Sequence, residues 1–546
     1  GVIAAVACRD HAVGRQMHDL YALPLGGGDA IALTNTPDVN ETEAVVSHDG
    51  TFVALAMRAA DEASNNIAVL DLADRQVRRL TQERVDGLQW MPVSVSSSVN
   101  GSFILANRFD WSLDFGEVHV IDAKTGETRL MSPPDIYAQA GDISADGRLV
   151  SYSAEADDGM LRAYIADLNT GKVTALPRTQ WNQRAGRFSP GGEWMVVSEN
   201  RDGRDRVSIF DLRSQTLRAL KLPTGVNDNS LYVTELPRLS PDGTRLLVQH
   251  QSGERPADYW VYHVASDTAR QVTSLGNMPQ TDLPQTRLVR YASTDGLVIS
   301  AYVWMPYNLL RDGSHPAVVL AHGGPTGQIR DTFNAAASAL ASRGYMVIAP
   351  NFRGSTGYGR AFLKANYQDL GGGDLEDVTA AADFLVATGY VDPGRIGITG
   401  GSYGGYLTLA ALTKKPEVFA AGVEMFGIVN WRTMWENSPP QNRRYLRTLL
   451  GGSPEEFPEV YDRTSPLTYL SRVRAPLLVL QGENDPLVPA SEARQVVEGL
   501  SGTDAVVDSV FYQDEGHGFV APENRRDATV RLLNWFDRYL AARTAQ

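Results

Sequence analysis

The sequence predicts an all-β propeller followed by an α/β domain. Two signals of one period carry the first half of that reading. A change from hairpins to alternating apolar strands and helices carries the second. The first periodic signal is a four-residue turn before a short apolar run. It occurs as Ser47-His48-Asp49-Gly50 before Thr51–Met57, and as Ser98-Val99-Asn100-Gly101 before Ser102–Asn107. It returns as Ser144-Ala145-Asp146-Gly147, Ser189-Pro190-Gly191-Gly192 and Ser240-Pro241-Asp242-Gly243. The closing glycines lie 45 to 51 residues apart. Asp or Asn can bond the backbone of such a turn, and glycine supplies a left-handed conformation that side chains resist.

The second signal is a hairpin between those turns: Ile67–Leu80, Val118–Leu130, Ala163–Leu176, Val207–Leu220 and Trp260–Val272. Two hairpins per period make a four-stranded blade. Val2–Ala7 reads as the strand after a further turn, with Gly1 as that turn's last residue, and Tyr21–Leu33 as the next hairpin. The count is six repeats, the first lacking its leading strand. A seven-bladed ring would need roughly 50 more residues at this repeat length. An open β-sandwich with accidental spacing is the alternative, and two signals sharing one period weigh against it.

Past Thr273 the texture changes. Leu275–Gln285 holds two prolines and no periodicity, as a linker would. The predicted boundaries are a propeller over 1–274, a linker over 275–285 and a catalytic domain over 286–546. Leu288–Tyr291 and Val298–Trp304 flank Asp295-Gly296 as a hairpin. Strands at Ala317–Ala321, Tyr345–Ala349, Ile396–Thr399, Leu477–Leu480 and Val506–Tyr512 then alternate with helices. The helices are expected over Asp331–Arg343, Leu375–Thr388, Tyr406–Thr413 and Glu523–Ala542. Continuous apolar strands between helices imply a mostly parallel sheet covered on both faces.

Bulk properties bound the function. Of 546 residues, 43% are hydrophobic, ordinary for a globular chain with a sizeable core. The formal charge is −14, which argues against nucleic acid or an anionic membrane as partner. One cysteine, Cys8, excludes an internal disulfide and a cysteine zinc site. No stretch reaches the ~20 apolar residues of a membrane helix. The reading is a cytoplasmic protein, or a periplasmic one whose leader has been removed, since the chain starts at Gly1 without Met.

Gly400-Gly401-Ser402-Tyr403-Gly404 matches the nucleophile elbow Gly-x-Ser-x-Gly, set between a predicted strand and a predicted helix. That context makes Ser402 the expected nucleophile of an α/β-hydrolase domain. A serine hydroxyl needs a base, and in this fold class the order is Ser, acid, His. His517 is the one histidine after Ser402. The acid falls between them after a strand, which selects Asp485, with Glu483 as its rival. The oxyanion donors expected are the N–H of Tyr403, next to the nucleophile, and that of Gly324, in the loop His322-Gly323-Gly324-Pro325. His322 is a further candidate for contact with substrate, or else a structural residue. The motifs His-Glu-x-x-His and Gly-x-x-x-x-Gly-Lys-Ser/Thr are not found, and no metal or organic cofactor is implied.

These motifs, with Asn351-Phe352-Arg353-Gly354-Ser355-Thr356-Gly357-Tyr358-Gly359 and the extension to Gly405-Tyr406, resemble the prolyl oligopeptidase family of serine peptidases. The likeness is greatest to its acylaminoacyl-peptidase branch and covers the whole chain. The resemblance implies a propeller that caps an α/β-hydrolase domain, the triad Ser402, Asp485 and His517, and short peptides as substrates, N-acylated ones included. It also makes Ile428 and Trp431 walls of the primary specificity pocket, where the competing reading is core packing. Three departures stand out. His322 replaces the tyrosine of the prolyl and dipeptidyl branches. Leu487 stands where relatives often carry an arginine. No Glu-Glu pair precedes the linker. The alternatives are a carboxylesterase on the same triad and a non-catalytic propeller that binds partners. A homo-oligomer is compatible with either.

Overall fold

The computed structural model describes residues 2–10, 17–47, 49–98, 101–227, 237–276 and 283–541. His48, Val99, Asn100 and most of the predicted linker lie outside the described residues. The chain divides into two compact units. The first comprises Gly1–His250, Asp258–Ser274 and Pro439–Tyr445; the second comprises Gln251–Ala257, Leu275–Ser438 and Leu446–Gln546.

Among the described residues, the first unit holds six small sheets in which consecutive strands pair antiparallel. One is three-stranded (Val2–Asp10, Met17–Pro24, Ile31–Ala32) and five are four-stranded. The repeated turns explain their spacing. The N–H groups of Gly50, Gly147, Gly192 and Gly243 donate to the carbonyls of Ser47, Ser144, Ser189 and Ser240 at 2.8–3.0 Å. All four glycines have φ between 68° and 73°. The serine hydroxyl accepts the N–H five residues on, at 3.0 Å from Phe52, 2.8 Å from Leu149 and 3.0 Å from Arg245. Each turn thus hands the chain to the next strand in a fixed register. Apolar residues from successive sheets interleave. Leu20 packs with Val53 and Leu55, Phe52 with Val95 and Ile104, Leu105 with Ile143 and Val150. The series continues with Ile165 against Val197, and Val196 against Leu246 and Val248.

The second unit is built on one eight-stranded sheet. Its order is Gln285–Ala292, Val298–Met305, Met346–Asn351, His315–Ala321, Val391–Gly401, Ala421–Met425, Leu477–Gly482, Val507–Tyr512. The first two pairings are antiparallel and the rest parallel. Val318, Val347, Ile348, Ile398, Val423 and Val479 are wholly buried, as strands covered on both faces require. Helices Ala335–Ser342 and Pro522–Leu540 pack onto this core through Ala337, Leu340, Leu533 and Phe536.

The helix predicted over Asp331–Arg343 begins four residues late. Asn334 caps it, accepting the N–H of Ala337 at 2.9 Å. Asp331 instead accepts the N–H of Gly253 at 2.8 Å. Helices Trp431–Asn437, Pro440–Leu450, Pro458–Thr464 and Ala490–Leu500 stand beyond those expected from the sequence. Among the described residues, no helix is long and apolar enough to cross a membrane.

Candidate active site

Four loops meet the carboxyl edge of the parallel sheet. The strand Val391–Gly401 runs straight into Ser402, and the helix Tyr403–Lys414 starts one residue later. Ser402 takes φ 57° and ψ −121°. A non-glycine residue held there costs about 1–3 kcal/mol and persists only where its surroundings over-determine it. Here the N–H of Ser402 donates to the carbonyl of Met425 at 3.0 Å, and its carbonyl accepts from Tyr406 at 2.9 Å. The neighbouring glycines permit close approach of backbones. A Cβ on Gly404 would lie 2.1 Å from the carbonyl oxygen of Ala321, and one on Gly400 2.6 Å from the same atom.

Asp485 follows the strand Leu477–Gly482 and has a fully buried side chain. Its Oδ1 accepts the N–H groups of Leu487 at 2.8 Å and Val488 at 2.9 Å. Its Oδ2 lies 2.8 Å from Nδ1 of His517, in the loop after the strand Val507–Tyr512. Glu483 is engaged elsewhere, bonding Arg494 at 2.5 and 2.7 Å. The His517 loop is held by Glu515, whose buried carboxylate accepts from the N–H of Val520 at 2.7 Å and of Ala521 at 3.0 Å. A carboxylate bound to Nδ1 leaves Nε2 as the proton-accepting nitrogen, the arrangement a serine nucleophile requires.

The loop after the strand His315–Ala321 brings Gly323 against Ser402. A Cβ on Gly323 would sit 3.4 Å from Cβ of Ser402. Gly324 is exposed at φ 130°. Tyr403 is buried with its hydroxyl hydrogen-bonded to Asp374. Its backbone opens the helix Tyr403–Lys414, where N–H groups and the helix dipole favour negative charge. His322 is buried, stacked flat on Phe352 at 4.1 Å, with Nδ1 2.7 Å from the Gly323 carbonyl and Nε2 2.8 Å from Oγ of Ser355. Burial pushes its pKa down to about 4, partly offset by the Gly323 carbonyl. Ile428 and Trp431 are 4% and 1% exposed, and the Trp431 ring lies against Tyr406 at 5.1 Å and Tyr403 at 6.4 Å.

Sequence reasoning passed over Phe426 and Glu424. The Phe426 ring meets that of His517 edge-on at 4.9 Å, and Glu424 is wholly buried two residues before it. A charged residue inside the apolar run Ala421–Met425 was the available signal.

The model of the prolyl oligopeptidase family matches residues 331–543. A dipeptidyl aminopeptidase BIII from Pseudoxanthomonas mexicana is 29% identical over 95% of this chain and 76% of its own length. The acylamino-acid-releasing enzyme of Sus scrofa is 26% identical over 78% of this chain and 62% of its own. The solved structure of a Mycobacterium tuberculosis puromycin-hydrolyzing peptidase superposes with a TM-score of 0.83 at 25% identity, covering 96% of this chain and 83% of that one. Residues 331–543 of this chain match the prolyl oligopeptidase family of serine peptidases, and the chain is a serine hydrolase.

Proposed function

We propose that this chain hydrolyses short peptides through an acyl-enzyme, with Ser402, His517 and Asp485 as its triad. The observation that carries the reading is the 2.8 Å contact between Nδ1 of His517 and the buried Oδ2 of Asp485, on loops flanking a strained Ser402. Oγ of Ser402 attacks the scissile carbonyl while Nε2 of His517 takes its proton. The N–H groups of Tyr403 and Gly324 stabilise the oxyanion. The C–N bond breaks as His517 returns the proton to the leaving amine. Water then attacks the acyl-serine ester, His517 again accepting and returning a proton, and the free acid departs. Asp485 holds the imidazole in one tautomer throughout.

His322, with both ring nitrogens engaged inside its loop, acts in this reading on the shape of the Gly323–Gly324 turn rather than on the substrate. The six small sheets are read as propeller blades, as in the solved relatives. Ile428 and Trp431 would wall an apolar pocket for the residue before the cleaved bond, and Leu487 adds an exposed apolar side chain beside Asp485. An apolar pocket gains about 25 cal/mol per Å² of side chain buried and penalises a charged one. Peptides with Phe, Leu or Ala before the cleaved bond should therefore outrun those with Asp or Lys, and Trp431→Ala should flatten that ranking while fluorophosphonate labelling of Ser402 persists.

The names of the relatives divide between removal of dipeptides and release of acylated amino acids. Digestion of a mixed peptide library, free and N-acetylated, followed by mass spectrometry, separates these specificities. A library left intact beside rapid hydrolysis of nitrophenyl esters would replace the peptidase reading with an esterase.

A further inference from the structure

Phe426 and Glu424 lie on the segment that leaves the strand Ala421–Met425, beside the nucleophile strand. Both are unusual. Phe426 takes φ 40°, in the left-handed region that a bulky aromatic residue avoids. Backbone outliers held by their surroundings gather at functional sites. Two hydrogen bonds hold this one: the N–H of Phe426 donates to the carbonyl of Leu480 at 2.9 Å, and the N–H of Gly427 donates to Oε2 of Glu424 at 2.9 Å. Gly427 in turn presses on the nucleophile helix, where a Cβ on Gly405 would lie 2.8 Å from its Cα.

The strained conformation gives the ring a definite place. One side abuts the residue before the nucleophile, since a Cβ on Gly401 would meet the Phe426 ring at 2.7 Å. The ring also meets the His517 imidazole edge-on at 4.9 Å and Phe519 at 5.7 Å. Asp485 fixes one ring nitrogen of His517, but a single hydrogen bond leaves the imidazole free to swing about it. Phe426 is a second support.

We propose that Phe426, locked by the carboxyl group of Glu424, is a positioning residue that sets the His517 imidazole relative to Ser402. The inference rests on the triad proposed above. It requires Glu424 to be a neutral acid at working pH, and the site favours that form. Its Oε2 has one backbone donor, while Oε1 is buried without a partner among the described residues. Burial, then the nearby carboxylate of Glu492, raises its pKa to about 8, against one opposing bond from Gly427. Glu492 is the titratable group facing it. That residue lies on the helix Ala490–Leu500 and accepts the N–H groups of Val429 and Asn430. Loss of the Glu424 proton would place an anion there with half its oxygens unsatisfied, and the turn carrying Phe426 would loosen.

The test compares Phe426→Leu, Glu424→Gln and wild type on a peptide anilide from pH 5 to 10, with thermal melting to show that each is folded. Phe426→Leu keeps an apolar side chain of similar bulk but removes the flat ring. It should lower kcat by up to about 10²-fold with KM little changed, as misplacement of a catalytic group does. Wild type should lose activity as pH rises through about 8, and Glu424→Gln, neutral at every pH, should lack that decline. A folded Phe426→Leu with wild-type kcat, or the same alkaline decline in Glu424→Gln as in wild type, overturns the proposal. Ser402→Ala serves as the control. If it stays active the triad itself is wrong; if it is inactive while both other variants behave as wild type, only the positioning role fails.

Discussion

At the scale of single residues, the chemistry depends on few atoms, and each contributes a separable signature. Ser402 supplies a hydroxyl that packs little, so Ser402→Ala should remain folded while turnover falls by on the order of 10⁶-fold. Steady-state kinetics beside a melting curve check both halves, and retention of a tenth of the activity would remove Ser402 from the mechanism. His322 lies near Ser402, but burial holds it down to about 4 and it stays neutral above that pH. Its charge should therefore play no part in the activity profile above about pH 5, and the acid limb of kcat/KM should keep its position in His322→Gln; a limb that moves in this variant would contradict the assignment.

At the scale of elements, the nucleophile turn and the blade turns use glycine for different physical reasons, and substitution separates them. At Gly404 the obstacle is space: a new Cβ would meet the Ala321 carbonyl, part of a central strand that cannot move aside. At Gly171, in the tip of the hairpin Leu161–Asp167 to Val173–Ala175, nothing lies within 4 Å and only the positive φ of 71° opposes a side chain. Gly171→Ala should cost about 1–2 kcal/mol in chemical denaturation. Gly404→Ala should cost more, at or above the ~1–3 kcal/mol typical of overpacking, and should also impair fluorophosphonate labelling. Equal losses at the two sites would show that the elbow tolerates a side chain. The same elements show what was readable locally. The Ser-x-Asp-Gly turns and the strand–turn–helix around Ser402 are decided by short-range bonding, so their residues reveal them. The helix Ala335–Ser342 starts late because a distant backbone, that of Gly253, claims Asp331.

At the scale of the whole molecule, buried carboxyl groups couple stability to pH. Burial raises Glu424 to about 8 and Asp374 to about 6, and it raises Glu492 and Asp142 as well. A carboxyl whose folded pKa exceeds its unfolded value binds more protons in the folded state. Its contribution is complete below the unfolded pKa and is lost as pH rises through the folded one. Asp242 and Asp267 act in the opposite sense: hydrogen bonds lower both to about 2, so their contribution is lost only in strong acid. The melting temperature by calorimetry should thus be higher at pH 5.5 than at pH 9, and Glu424→Gln should narrow the gap. An unchanged gap would mean that Glu424 is hydrated in the folded chain. Apart from Glu424, set within the apolar run Ala421–Met425, nothing in the linear sequence announces these groups as buried acids. The turn period, the α/β alternation and the strand–turn–helix around Ser402 are legible in the residues, because they follow from local bonding and hydrophobic periodicity. That Asp485 rather than Glu483 meets His517, that His322 turns into its own loop, and that Glu424 and Phe426 stand beside Ser402 emerges in three dimensions alone. Those outcomes depend on which strands become neighbours in the sheet, and so on contacts between residues far apart in the chain.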